Sequence, residues 1–294
     1  MIVYFAGLGS MGSGMARCLI HAGHEVHLLD HNPERVASLH EAGGHPLQGN
    51  APPADAIVSV VMNAEQTRSV LFADEALALR LKPGGVIVSC ATVSPAFASE
   101  MEAEANNLGQ LYVDAPISGG AVKAAEGTLS MMVSGKAEAL KAATPLFDAM
   151  AETVHRMGDT AGAGSAMKAV NQLLAGIHVA AMGEALAFAA SQKLDLEQVV
   201  KVVSASAGTS WMFENRAPHV VQSDYTPLSK LDIWLKDLGI VTDIARAADL
   251  PVPVAASALS QFRDASDAGF GQQDDAAVAK YAASRGGITL PGER

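Results

Sequence analysis

The sequence predicts an α/β chain. A parallel sheet wound with helices occupies residues 1–158, and an all-helical part follows over 159–294, entered through a long helix at about 163–192. Three observations predict this. Short apolar runs alternate with helical segments through the first half, as strands buried on both faces do. The alanine-rich stretch from Gly162 to about Gln192 is apolar over a helical length. Past Gln192 no strand pattern remains, and the segments at 196–205, 227–248, 253–268 and 274–283 read as helices.

Composition bounds the functions. At 294 residues, 49% hydrophobic and 17% charged, the chain suits a globular protein with a sizeable core. A net charge of −11 without a basic cluster gives no footprint for nucleic acid and no attraction to anionic lipid, so an anionic small molecule needs a local positive site. Cys18 and Cys90 form no metal-type spacing, which points to a reducing cytoplasm. No basic leader precedes the first strand, and the apolar stretch 169–183 is short and interrupted by Asn171, Gln172 and His178, so it reads as a core helix rather than a membrane span.

The first element is a buried strand, Ile2-Val3-Tyr4-Phe5-Ala6, followed by Gly7-Leu8-Gly9-Ser10-Met11-Gly12 and then a helix ended by Gly23. A second strand, 25–29, closes on Asp30, eighteen positions past Gly12. Glycines at this spacing between a strand and a helix allow a tight turn, close approach of a pyrophosphate and close helix packing, and the helix N-terminus offers N–H groups to the phosphates. This predicts a Rossmann-type dinucleotide site. Asp30 is placed to accept from ribose hydroxyls and to repel a 2′-phosphate, which favours NAD over NADP, although His31 and Arg35 stand nearby. His21, His24 and His27 straddle a helix end, a turn and a strand start; no single face presents all three, so they read as surface histidines and no metal site is expected.

The alternation continues with a helix at 33–42, a strand at 56–61, a helix at 67–81, a strand at 86–90 and a helix at 94–108. Ligands of open parallel sheets lie beyond the carboxyl ends of the strands. Met62, Asn63 and Thr92 are therefore expected around the dinucleotide. Strand 111–114 leads to Ser118-Gly119-Gly120, a hydroxyl and exposed backbone amides that suit a carboxylate or serve as a plain glycine turn. Strands at 129–134 and 153–157 complete the sheet. On the long helix, Lys168, Asn171 and Gln172 fall at i, i+3 and i+4 and share a face; a lysine that loses solvation there becomes able to trade protons. The segment 208–216 interrupts the later helices, Lys236 sits in an apolar run, and the tail 284–294 reads as loose.

Together these motifs resemble the β-hydroxyacid dehydrogenase family. The resemblance rests on Gly7-Leu8-Gly9-Ser10-Met11-Gly12 with Met15-Ala16; on Asp114-Ala115-Pro116-Ile117-Ser118-Gly119-Gly120 with Gly127; on Gly162-x-Gly164 with Lys168 and Asn171; and on Lys236-Asp237-Leu238. It implies Lys168 as catalytic lysine, Ser118, Gly119 and Gly120 on the substrate carboxylate, Asn171 supporting lysine and substrate, Thr92 at the cofactor, and Lys236 beside nicotinamide and substrate. Lys168 argues against the imine-reducing cousins, which lack it. Gln172 stands where the family commonly has a second asparagine. Residues 172–178, Ser210 to Arg216 with Trp211 as a substrate contact, and Ala268 to Gly271 with Asp274-Asp275 resemble the L-threonate dehydrogenase branch. The implied activity is hydride transfer from a small hydroxy acid to NAD, by a cytoplasmic homodimer or homotetramer. The alternatives are an NADP-dependent reductase of tartronate or succinic semialdehyde, a 3-hydroxyisobutyrate dehydrogenase, and a nucleotide-binding protein without catalysis.

Overall fold

In the computed structural model, which describes residues 1–292, contacts divide the chain into two compact units, Met1–Lys168 and Ala169 onward.

The first unit is a nine-stranded sheet with helices. In chain order its elements are β1 (Ile2–Ala6), α1 (Gly12–His21), β2 (Glu25–Leu29), α2 (Pro33–His40), β3 (His45–Pro46), β4 (Ala54–Ser59), α3 (Ala64–Phe72), β5 (Leu81–Ser89), α4 (Pro95–Asn107), β6 (Leu111–Asp114), β7 (Ile117–Ser118), α5 (Gly120–Glu126), β8 (Leu129–Ser134), α6 (Ala137–Met150) and β9 (Ala151–Gly158). Strands β3-β2-β1-β4-β5-β6 lie in that order, all parallel; β8 runs against β6 and β7 and parallel to β9. The order reverses between β1 and β4, the crevice where such sheets hold ligands. Successive residues feed opposite faces: Val3 and Phe5 join one buried cluster, Tyr4 and Ala6 the other.

Register decides what gathers at that crevice. Ala6 pairs with Leu29 and with Ser59, Ser59 with Ser89, and Ser89 with Asp114. The carboxyl ends of five strands thus form one row, and the segments that follow them leave from one edge.

Helix α7 (Ala163–Ser191) begins in the first unit and continues into the second, which adds α8 (Leu196–Ser204), α9 (Trp211–Gln222), α10 (Ile233–Ala247), α11 (Pro253–Ala265) and α12 (Val278–Arg285). Helix α7 is long and apolar enough to cross a membrane, and 44% of an apolar window within it is buried inside the protein. The core of the second unit gathers Val179, Leu186, Phe213, Trp234, Leu238 and Phe262, with the Trp234 and Phe262 rings stacked 5.7 Å apart.

Several expectations are corrected. The helix expected at 67–81 starts at Ala64, under an Asn63 cap, and stops at Phe72; Ala76 turns left-handed (φ 44°), and β5 begins at Leu81, earlier than expected. The segment 208–216 does not interrupt the helices beyond Ser210, which caps α9 by accepting from the Phe213 N–H at 3.0 Å. The helix expected from Pro227 starts only at Ile233, because Leu228 and Ser229 donate their N–H groups to Asp274. His27 is buried, paired with Glu25 and edge-on to Tyr4, so it is no surface histidine. The tail is not loose as far as it is described: Leu290 is buried and Ile288 packs on the helical core, while Glu293 and Arg294 lie outside the described residues.

Candidate active site

The glycine loop joins β1 to α1. Gly7 holds φ 94° and donates to Leu29 O at 2.9 Å. A Cβ on Gly12 would lie 1.9 Å from Gly7 O, so only glycine lets α1 start that close to the strand. A Cβ on Gly9 would meet nothing within 4 Å: the loop turns bare backbone toward open space there. No described side chain caps α1, and no acid stands in its first turn. Leu8 is buried, Ser10 exposed and Met11 half-buried. A turn with space above it, leading into an uncapped helix N-terminus, fits the phosphates of a dinucleotide.

Asp30 stands at the end of β2. Its carboxylate accepts from Leu8 N at 2.6 Å and from Asn32 N at 2.8 Å, and Arg35 Nη1 lies 3.6 Å away. Asp30 therefore ties the glycine loop to the carboxyl end of β2. Met62 follows β4 and is exposed; Asn63 is half-buried and accepts from Gln66 N as the cap of α3. Thr92 follows β5, and the cap of α4 is Ser94, not Thr92. Ser118 ends β7, and Gly119 (φ 138°) and Gly120 (φ 75°) lead into α5.

The approach to Lys168 is held from below by a carboxylate to which sequence reasoning gave no role. Asp114 is buried and accepts from Gly162 N (2.9 Å), Ser165 N (2.8 Å), Ser165 Oγ (2.7 Å) and Ser134 Oγ (3.2 Å). Ser134 Oγ in turn accepts from Gly164 N at 2.9 Å. These bonds satisfy amides at the start of α7 that have no partner within the helix, and they bring a negative charge to its positive end. A Cβ on Gly164 would lie 2.4 Å from Met132 O, which explains the glycine there. Burial pushes the Asp114 carboxyl above its ordinary range, against the lowering effect of the Ser165 and Gly162 donors. Lys168, one turn past Ser165, is buried.

In the second unit Asn171, Gln172 and Lys236 come together through Asp237. Asn171 Nδ2 donates to Gln172 Oε1 at 3.0 Å, Gln172 Nε2 donates to Asp237 Oδ2 at 2.5 Å, and Lys236 Nζ lies 2.6 Å from Asp237 Oδ1. Gln172 and Asp237 are buried, and Asn171 and Lys236 half-buried. Trp211 is not part of this group; it opens α9 with an exposed ring. The sequence pointed to Asp237 only as the neighbour of Lys236. Among the described residues, no group of three or more His, Cys, Asp or Glu is placed to hold a metal ion.

Comparison with known proteins matches residues 3–158 to the NAD binding domain of 6-phosphogluconate dehydrogenase, and residues 162–282 to the NAD-binding region of NADP-dependent 3-hydroxyisobutyrate dehydrogenase. The chain is 45% identical to an L-threonate dehydrogenase of Cupriavidus necator, over 98% of this chain and 97% of that one. It is 31% identical to an NAD-dependent L-serine dehydrogenase of Pseudomonas aeruginosa, over 95% and 96% of the two chains. The crystal structure of a 3-hydroxyisobutyrate dehydrogenase from Salmonella typhimurium superposes with a TM-score of 0.91 at 46% identity, over 96% of this chain and 99% of that one.

Proposed function

This chain belongs to the β-hydroxyacid dehydrogenase family, oxidoreductases that act on a CH–OH group with a nicotinamide dinucleotide, and we propose that it oxidises the 2-hydroxyl of L-threonate with NAD. The observation that carries the substrate is the 45% identity to an L-threonate dehydrogenase over 98% of the chain. NAD rather than NADP rests on Asp30, whose carboxylate opposes a 2′-phosphate by like charge.

The glycine loop 7–12 holds the pyrophosphate, with Asp30 on the ribose and Met62, Asn63, Thr92 and Lys236 along the rest of the cofactor. Ser118, Gly119 and Gly120 hold the substrate carboxylate, with Asn171, Gln172 and Trp211 around its other groups. Lys168, as a neutral amine, takes the hydroxyl proton on Nζ as the alcohol carbon loses hydride, leaving a 2-oxo acid; in reverse its ammonium returns that proton to the carbonyl. NAD supplies the hydride acceptor when bound. The Asp114 clamp fixes the helix turn from which Lys168 projects. The place of action is the cytoplasm, supported by the two free cysteines, and the assembly is a homodimer or homotetramer, supported by the exposed Val170, Leu174 and Phe188 on α7.

The test is NADH or NADPH formation at about pH 9, where a lysine base is more often neutral. The acids are L-threonate, D-erythronate, D-glycerate, 3-hydroxyisobutyrate and tartrate. Turnover confined to L-threonate with NAD is expected; 3-hydroxyisobutyrate is the competitor, because the Salmonella structure carries that name. Lys168→Ala is expected to lower turnover by about 10²–10⁴-fold with NAD affinity nearly unchanged. Unchanged turnover would remove Lys168 from the mechanism.

A further inference from the structure

The group around Asp237 has a direction. Lys236 Nζ lies 2.6 Å from Asp237 Oδ1, so the carboxylate is ion-paired and can only accept hydrogen bonds. Gln172 must then turn its amide nitrogen toward Asp237 Oδ2, which leaves its carbonyl oxygen for Asn171. Asn171 must turn its own amide nitrogen toward Gln172 Oε1. Asn171 therefore keeps its carbonyl oxygen free, beside the second hydrogen of Nδ2. This polarity follows from the chemistry of Asp237, which can only accept. Gln172 bridges the two because its amide is one methylene longer than that of asparagine.

We infer that Asp237, through Gln172, is a positioning residue that keeps the Asn171 carbonyl oxygen free to accept, and that the donor it receives is a second hydroxyl of a polyhydroxy acid. The inference rests on the reading that Asn171 faces the substrate of a hydroxyacid dehydrogenase. The hydroxyl being oxidised has one proton, and it gives that proton to the lysine base. It has none left for Asn171, so among the groups of the substrate the donor is a neighbouring hydroxyl; if the Lys168 amine fills the Asn171 oxygen instead, removing that hydroxyl costs nothing. Gln172 itself, with its nitrogen on Asp237 and its oxygen on Asn171, passes the polarity of Asp237 on to Asn171.

The test compares L-threonate with analogues in which the 3- or the 4-hydroxyl is replaced by hydrogen or by fluorine, which can accept weakly but cannot donate. At one of the two positions the wild type is expected to lose about tenfold or more in kcat/KM on removal of the hydroxyl, and fluorine is expected not to restore it. Asp237→Asn lets the residue donate to Gln172, so both amides can reverse; Gln172→Met breaks the link outright. In each variant the ratio between hydroxyl and deoxy substrate is expected to fall at least about fivefold, as a lost hydrogen bond allows. A purely structural role would lower all substrates together and keep the ratio. If the variants fail to fold, the wild-type series decides: fluorine restoring activity, or no loss at either position, overturns the inference. No turnover of L-threonate or any other hydroxy acid by the wild type would instead overturn the reading on which it rests.

Discussion

Asp275 is a carboxylate whose surroundings work against its charge. It is fully buried in the second unit, where it accepts from Arg216 Nε at 2.5 Å and Trp234 Nε1 at 2.9 Å. Burial pushes its carboxyl from the ordinary 3.8 up to about 6; Arg216 opposes this and Asp274 adds to it. The folded protein thus binds this proton more tightly than the unfolded chain does. The stability linked to it is fully present below about pH 4 and is lost as pH rises through 6, by at most about 3 kcal/mol. Urea unfolding from pH 4 to 7 of the wild type and Asp275→Asn checks this. The stability difference, wild type minus variant, is expected to fall across that range, and a flat difference would mean that Asp275 is ionised throughout.

At the scale of an element, the start of α7 shows what a motif is for. Gly162-x-Gly164 precedes Lys168 because the backbone there packs on Met132 O and Pro95 O while its amides point at Asp114 and Ser134. Asp114→Asn replaces one accepting oxygen with a donor facing other donors. It is expected to cost about 1–3 kcal/mol in urea unfolding, as an unsatisfied buried amide does, with Ser165→Ala costing less. Equal stability of Asp114→Asn and wild type would show that the clamp is not needed. The strands of the first unit and α7 itself were legible because a buried parallel sheet writes continuous apolar runs and a core helix writes a long apolar stretch. The start of α9 was not, because the segment from Gly208 to Arg216 reads as a break, whereas the helix begins at Trp211, under the Ser210 cap, and carries Pro218 within it. The late start of α10 was hidden because it depends on Asp274, more than forty residues away in the chain. The glycine turn before α1 and a desolvated Lys168 could be read from spacing, whereas the role of Lys168 came from the family resemblance. Asp114 and Asp237 could not be given a role, because a carboxylate's role lies in which donors the fold brings to it.

For the molecule as a whole, the two compact units make ligand binding a question of linkage. A ligand bound only by the folded state adds about 2.7 kcal/mol at a hundred times its Kd, whatever contacts it makes. The glycine loop and Asp30 both belong to the first unit, so NAD is expected to raise the unfolding temperature of at least that unit. At equal concentration NADP is expected to raise it less, because its 2′-phosphate meets the Asp30 carboxylate in a chain whose net charge is already −11. Asp30→Asn keeps an oxygen to accept the Leu8 N–H while removing the charge, so the loop stays tied and the repulsion goes. Differential scanning calorimetry with each cofactor reads this directly. The shift by NAD should exceed that by NADP in the wild type, and the gap should close in Asp30→Asn. Equal shifts in the wild type would show that Arg35, 3.6 Å from Asp30, neutralises the carboxylate and that its charge does not select the cofactor.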